Sequence, residues 1–187
     1  MRIIIAAIAG GVVMFMWGAV SHMVTPIGEM GLKATPNETA VVSTLQSNLT
    51  EPGFYFIPGM DMSKPMTAEE EAAWSARYEK GPNAIIVYNP IGETPMSPKQ
   101  FGVELGSNIL AALVVALLLT WTAASFSKRV AMATLIGLTA WLSINVSYWN
   151  WYRFPTAMVA GELIDQVVGW FLVGLVMAFI LRNKTLE

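Results

Sequence analysis

The chain has 187 residues, of which 55% are hydrophobic and 13% are charged, and its formal net charge at pH 7 is -2. Soluble domains carry about 25% charged residues, so this composition argues against an ordinary soluble protein, and the absence of a basic excess argues against a nucleic-acid partner. The chain has no cysteine, which excludes disulfides, thiol redox chemistry and cysteine-based zinc sites.

Four long apolar runs carry most of the hydrophobic residues, and they occupy positions 3–24, 105–126, 130–149 and 157–181. Each run is close to the ~20 residues that cross a bilayer as a helix, and each is too continuous for the strand of a membrane barrel. We therefore predict an all-α integral membrane protein with four transmembrane helices at residues 1–24, 101–126, 130–152 and 155–181. The same division leaves a small α+β extracytoplasmic cap domain at residues 25–100 and a tail at residues 182–187.

The first predicted span contains Gly10, Gly11 and Gly18. Small residues let helix backbones approach closely in lipid, so we expect these glycines to form a packing face. We interpret the span as an uncleaved anchor because its apolar run is longer than the core of a usual signal peptide.

Three capping-box patterns begin at Thr35, Thr67 and Ser97. They predict a helix that runs to about residue 48, a second helix over 68–80, and a start for the second span ahead of its apolar run.

Two runs between these helices, 53–58 and 84–89, are rich in β-branched and aromatic residues and are bounded by glycine and proline. This pattern predicts two strands that pair as a small ribbon within the cap. A ribbon of two strands is marginally stable alone, so we expect it to lie on helices or on the outer surface of the bundle.

The orientation follows from the basic residues of the short loops and chain ends, which are Arg2, Lys128, Arg129, Arg182 and Lys184. Four spans put all of them on one side, with Lys128 and Arg129 in a tight predicted turn, and such residues favour the cytoplasmic side. We predict an inner-membrane protein of a bacterium, with both termini cytoplasmic and residues 25–100 outside.

Polar residues inside the predicted spans concentrate near the outer ends of the helices. At 1.5 Å per residue, Glu162 lies roughly 10 Å and Asp165 roughly 15 Å below the turn at Pro155. Glu104 and Asn108 are four residues apart and share a helix face. We predict an outer polar cluster made of His22, Glu104, Asn108, Asn145, Trp149, Arg153, Glu162 and Asp165.

Three interpretations of this cluster remain open, because carboxylates in lipid must be paired, protonated, hydrated or bound to a cation. One is an ion-pair network, in which Arg153 pairs with an acid and His22 with Asp165. Another is a proton-coupled or transport site in an oligomer. The third is a divalent metal site for zinc, iron or manganese, with the ligands His22, Glu104, Glu162 and Asp165.

Three methionines in the predicted cap, Met60, Met62 and Met66, raise a separate hypothesis of a copper site. Thioethers bind Cu(I), although methionine is also an adaptable packing residue.

For function, the leading hypothesis is an accessory, scaffold or partner-binding membrane subunit that acts through its cap and outer cluster. It predicts an exposed apolar patch on the cap for a protein partner or a second copy of the chain. The alternative is a metal-dependent or ligand-binding protein, for example a hydrolase of a lipid or periplasmic substrate, and it requires convergence of the four metal ligands.

Overall fold

The computed structural model describes residues 1–182, and the predicted tail, including Lys184, lies almost wholly outside them. The helices are α1 (Arg2–Met23), α2 (Glu38–Asn48), α3 (Ala68–Lys80), α4 (Pro98–Thr120), α5 (Phe126–Tyr152) and α6 (Thr156–Leu181). The strands are β1 (Gly53–Ile57) and β2 (Ala84–Tyr88), and a short 3-10 turn covers Ile27–Glu29.

The chain divides into two compact units. Among the described residues, one consists of residues 34–94, and the other of residues 1–33 together with residues 95–182. The unit that includes residues 1–33 contains α1, α4, α5 and α6. These four helices are 22 to 27 residues long and apolar enough to cross a membrane. The prediction of four helices of membrane-spanning length and composition is therefore confirmed.

The four long helices pack in the order α4, α1, α6, α5. α1 contacts α4 and α6, α5 packs mainly on α6, and α4 makes few contacts with α5 although the two are joined by a short turn. The buried side chains lie where these pairs meet and include Ala6, Ala112, Ala116, Leu119, Val173 and Met177.

Two glycines of α1 allow this close packing. A Cβ atom on Gly11 would lie 2.5 Å from the Ile109 Cα of α4, and one on Gly10 would lie 2.6 Å from the Met177 Cε of α6. A Cβ atom on Gly18 would meet nothing within 4 Å. The predicted packing face is therefore confirmed at Gly10 and Gly11 and wrong at Gly18.

The connection between α4 and α5 differs from the prediction. α4 ends at Thr120 and α5 begins at Phe126, so Lys128 and Arg129 lie in the first turn of α5 and do not form the connecting turn. Residues 121–125 form the connecting turn instead, and Ser125 occupies the N-cap position of α5.

Arg129 is buried, and its guanidinium donates from Nε to the Ala124 carbonyl and from Nη1 to the Leu181 carbonyl, both at 3.0 Å. The last carbonyls of a helix lack partners and carry partial negative charge, which a cation stabilises. At the same end of the bundle, Arg2 Nη1 donates to the Arg182 carbonyl at 3.1 Å. Arginines from three parts of the chain therefore meet where α6 ends.

The capping boxes at Thr67 and Ser97 are confirmed. Thr67 Oγ1 accepts from the Glu70 amide at 3.2 Å while the Glu70 carboxylate accepts from the Thr67 amide at 2.9 Å. Ser97 and Gln100 form the same reciprocal pair. The box at Thr35 is wrong, because Asn37 caps α2 by accepting from the Ala40 amide at 3.3 Å.

The two predicted strands pair as an antiparallel ribbon, with α3 between them in the chain, and Phe54 faces Val87 while Phe56 faces Ile85. Trp74 on α3 donates through Nε1 to the Pro58 carbonyl at 3.1 Å and so ties α3 to the end of β1. No residue from 34 to 94 is buried, so this unit has no closed hydrophobic core of its own.

We expect Gly11→Ala to lower the melting temperature of the detergent-solubilised protein, because the added methyl group would push into the α4 backbone. Overpacking of this kind costs about 1–3 kcal/mol. The matched control is Gly18→Ala in the same helix, where space is open and stability should not fall. If the melting temperature fell equally in both variants, α1 would not pack on α4 through Gly11.

We expect Arg129→Met to destabilise the protein by about 1–3 kcal/mol, because it removes the guanidinium donor from the buried Leu181 carbonyl and from the half-buried Ala124 carbonyl. Lys128→Met is the control, since Lys128 is the exposed neighbour on the same helix turn. Thermal melting of both variants tests this, and a Lys128 variant as unstable as the Arg129 variant would contradict it.

Candidate functional site

The predicted cluster resolves into pairs, and the first joins α1 to α6. His22 Nδ1 lies 3.9 Å from Asp165 Oδ2, 2.8 Å from Ser21 Oγ and 3.1 Å from the Gly18 carbonyl. A separation of 3.9 Å is too long for a hydrogen bond, so this is an ion pair only when His22 is protonated. The two side chains that were predicted to pair are therefore neighbours, without a hydrogen bond between them.

Asp165 is further positioned by Trp17, whose Nε1 donates to the Asp165 carbonyl at 3.1 Å. Its side chain is 16% exposed, and Oδ1 is buried with no hydrogen-bond partner among the described residues. A buried acceptor without a hydrogen-bond partner costs free energy.

The second pair joins α5 to α6. Asn145 Nδ2 donates to Glu162 Oε2 at 3.5 Å, the long limit of a hydrogen bond. Both residues are half-buried. The expected bridging by an asparagine is therefore present here, between a neutral amide and a carboxyl group.

The third pair lies within α4, where Asn108 Nδ2 donates to Glu104 Oε1 at 3.1 Å. Glu104 is exposed. In residues 1–182, no hydrogen bond or ion pair of the kinds described joins this pair to His22, Glu162 or Asp165.

The predicted metal site therefore finds no support. Among the described residues, no group of three or more histidine, aspartate or glutamate side chains is arranged to hold a metal ion. The expected convergence of His22, Glu104, Glu162 and Asp165 is replaced by separate pairs. The physical reason is that the helix order α4, α1, α6, α5 brings different acids against different neighbours.

The connection between α5 and α6 has a fixed backbone. Arg153 adopts a left-handed conformation with φ 57°, and the amides of Arg153 and Phe154 both donate to the Tyr148 carbonyl. Trp149 Nε1 donates across the turn to Thr156 Oγ1 at 3.2 Å. The chain therefore folds back tightly, and Phe154 is placed beside Tyr148 with ring centroids 5.3 Å apart.

This fold-back forms a half-open cavity of about 190 Å³, which we call the corner cavity. Its walls are Asn145, Tyr148, Phe154, Met158, Val159 and Glu162. It is thus an apolar and aromatic pocket that contains one carboxyl group and one amide. Of the predicted cluster, Asn145 and Glu162 are the members that line it.

The unit of residues 34–94 has a more open cleft of about 450 Å³, lined in part by Met60, Met66, Asp61 and Glu70. Met62 is 84% exposed and does not line it, so the three methionines of the copper hypothesis are not assembled there. Hydrogen bonds from the Ser63 hydroxyl and amide lower the pKa of Asp61. The Thr67 amide, followed by Lys64, lowers the pKa of Glu70, so both acids are ionised at neutral pH.

The two-stranded ribbon of this unit presents an apolar face. We call it the hairpin face and define it as Phe54, Phe56, Ile85 and Val87. Strand register places these four side chains on the same side of the ribbon. Phe54 is 52% and Val87 79% exposed, and the two phenylalanine rings meet edge to face at 5.0 Å.

Sequence reasoning missed the aromatic part of the corner cavity. The predicted polar cluster does not include Tyr148, Phe154 or Met158. The spacing contained a signal, because Asn145 and Tyr148 are three apart on α5 while Met158 and Glu162 are four apart on α6. Such spacings place each pair on one helix face.

Comparisons with protein-family models, with curated proteins and with solved structures found no match to this chain.

We expect Arg153→Gly to melt at a higher temperature than Arg153→Ala. Both variants lose the arginine side chain, but only glycine adopts the left-handed backbone without a steric penalty, which is worth about 1 kcal/mol. The comparison isolates the backbone from any contact of the side chain. Equal melting temperatures would mean that the turn relaxes out of this conformation.

Proposed function

We propose that the protein is a non-enzymatic membrane subunit that binds a protein partner through the unit of residues 34–94. The observation that carries this proposal is the hairpin face, an exposed aromatic and aliphatic surface in a unit without a buried residue. A contiguous exposed apolar surface of this kind is typical of an interaction site.

The strands add a second feature suited to binding. The sheet has only two strands in the described residues, so each strand has one edge without a strand neighbour. An unpaired edge can receive an extended segment of a partner through backbone hydrogen bonds. An apolar face beside an open edge supports docking of another polypeptide.

The charge of this unit indicates the chemistry of the partner. Residues 34–94 contain eight acidic and three basic side chains, which gives a formal charge of -5. Such a surface is repelled by anionic lipid and attracted by basic side chains. We therefore propose a partner with an apolar groove bordered by lysine or arginine, and we favour it over the membrane surface itself.

The orientation is part of the same proposal. The arginine contacts at the end of α6 support the inference that Arg2, Arg129 and Arg182 share one side of the membrane. Basic residues favour the cytoplasmic side, which would leave residues 34–94 on the opposite, partner-facing side.

We expect Phe54→Ser/Val87→Ser to abolish stoichiometric co-purification of the partner from native membranes, as measured by quantitative mass spectrometry. The control is Val41→Ser/Val42→Ser, which removes two exposed apolar side chains from α2 of the same unit. The amount of partner that co-purifies with the wild-type protein should also fall as the salt concentration is raised, because salt screens the attraction between exposed charges.

A photo-crosslinking residue at position 87 identifies the occupant directly in the full-length protein. A discrete adduct with a partner bearing a basic-rimmed groove supports the proposal. Adducts with lipid alone would place the hairpin face on the membrane, and adducts at twice the mass of the chain would indicate self-association; either result would contradict it.

A further inference from the structure

We propose that the corner cavity binds an organic ammonium group, held by the Glu162 carboxylate and by the rings of Tyr148 and Phe154. The group belongs either to a lipid headgroup or to a small free molecule. The inference does not rest on the proposed partner binding, because no residue from 34 to 94 lines the cavity.

The charge at Glu162 is the first argument. This acid lies within a helix of membrane-spanning composition, and its polar neighbour in the cavity is the neutral amide of Asn145 at 3.5 Å. A carboxylate among apolar walls is costly unless a cation compensates it. Asp165, one turn further along α6, has the imidazole of His22 at 3.9 Å for this purpose. A cationic ligand would provide the equivalent compensation at Glu162.

The aromatic walls indicate which cation fits. Tyr148 and Phe154 are inclined at 43° with centroids 5.3 Å apart, and both line the cavity. The faces of aromatic rings attract cations within about 6 Å, and methylated ammonium groups are recognised in this way. Met158 and Val159 complete the lining with apolar atoms.

A metal cation suits this lining poorly. Calcium and magnesium require about six or more oxygen ligands, whereas the cavity offers one carboxyl group, one amide and one phenol. An alkylated ammonium ion is weakly hydrated and carries its own apolar surface. It can therefore contact carbon on most sides and the carboxylate on one.

The size and position of the cavity agree with a headgroup-sized ligand. Sites for drug-sized molecules enclose about 300–1,000 Å³. The corner cavity encloses about 190 Å³, enough for a charged end group but not for a larger molecule. It lies where Tyr148, Trp149, Trp151 and Tyr152 end α5, and aromatic belts of this composition mark the headgroup level of membranes.

The first experiment uses the full-length protein, stripped of lipid in a neutral detergent. Tetramethylammonium chloride and choline chloride are titrated, with sodium chloride at the same ionic strength as the reference, and the shift of the melting temperature gives an apparent Kd. We expect Glu162→Gln to weaken the apparent affinity about tenfold, because it removes the charge and keeps an oxygen for the Asn145 amide.

The matched control is Glu104→Gln. Like Glu162, Glu104 lies in a membrane-length helix and accepts a hydrogen bond from an asparagine, which here is Asn108 of the same helix. Glu104 does not line the corner cavity. This variant should retain the affinity of the wild-type protein. Tyr148→Leu removes an aromatic wall and leaves the carboxylate, and it should weaken methylated ammonium binding as well.

The second experiment separates the two sources of the ligand. The protein is reconstituted in nanodiscs that contain equal amounts of phosphatidylcholine, phosphatidylethanolamine and phosphatidylglycerol, and native mass spectrometry identifies the lipids that remain bound. Retention of an ammonium-bearing lipid over phosphatidylglycerol, lost in Glu162→Gln but not in Glu104→Gln, assigns the site to a headgroup. Binding of the free cations without lipid selectivity assigns it to a small molecule.

Two results would overturn the proposal. One is the absence of an effect of Glu162→Gln on either probe, provided that the variant melts like the wild-type protein without ligand. The other is an equal effect of Glu104→Gln, which would trace the response to general charge. In both cases Glu162 would be held by Asn145 alone, without a cationic ligand. Loss of partner binding through the hairpin face would leave these outcomes unchanged, so the two proposals fail separately.

Discussion

The position of α1 between α4 and α6 determines most of the remaining arrangement. Helices in lipid gain little from the hydrophobic effect, so close approach of their backbones must provide the packing energy. Gly10 and Gly11 permit that approach on two sides of one helix. Because α1 lies against α6, its far end sets His22 beside Asp165 and directs the Trp17 indole to the Asp165 carbonyl. The partners of the acids thus follow from the order in which the helices pack.

Polar groups inside the long helices are mostly satisfied by carbonyl oxygens nearby. Trp141 Nε1 donates to the Val159 carbonyl at 2.8 Å, and Thr134 Oγ1 donates to the Val130 carbonyl at 2.9 Å. Arg129 satisfies the end of α6 in the same manner. These contacts compensate for the absence of water in an apolar medium. Against this background Glu162 is distinctive, since it is an acid that shares a half-open, partly aromatic cavity with a neutral amide.

The sequence allowed the elements to be predicted better than their arrangement. The long apolar runs, the reciprocal caps at Thr67 and Ser97 and the alternating strands depend on neighbours within a few residues, so local patterns predict them. The end of α4 at Thr120 was missed because residues 121–125 contain no glycine or proline to mark it. Prediction of whether three acids and one histidine converge required knowledge of which helices touch. Helical spacing gives the face of a residue and its depth, but it does not give the neighbour of that face.

The corner cavity also bears on how α5 is held. α5 packs mainly on α6 and makes few contacts with α4, so the junction of α5 and α6 carries most of its attachment to the bundle. The walls of the cavity come from both helices and from the turn, whose backbone is fixed by two amides on the Tyr148 carbonyl. The turn that supplies part of the wall is therefore held by backbone bonds that do not involve Glu162. A preorganised cavity spends little free energy on closing around a ligand, and a ligand that touches both helices would strengthen the attachment of α5.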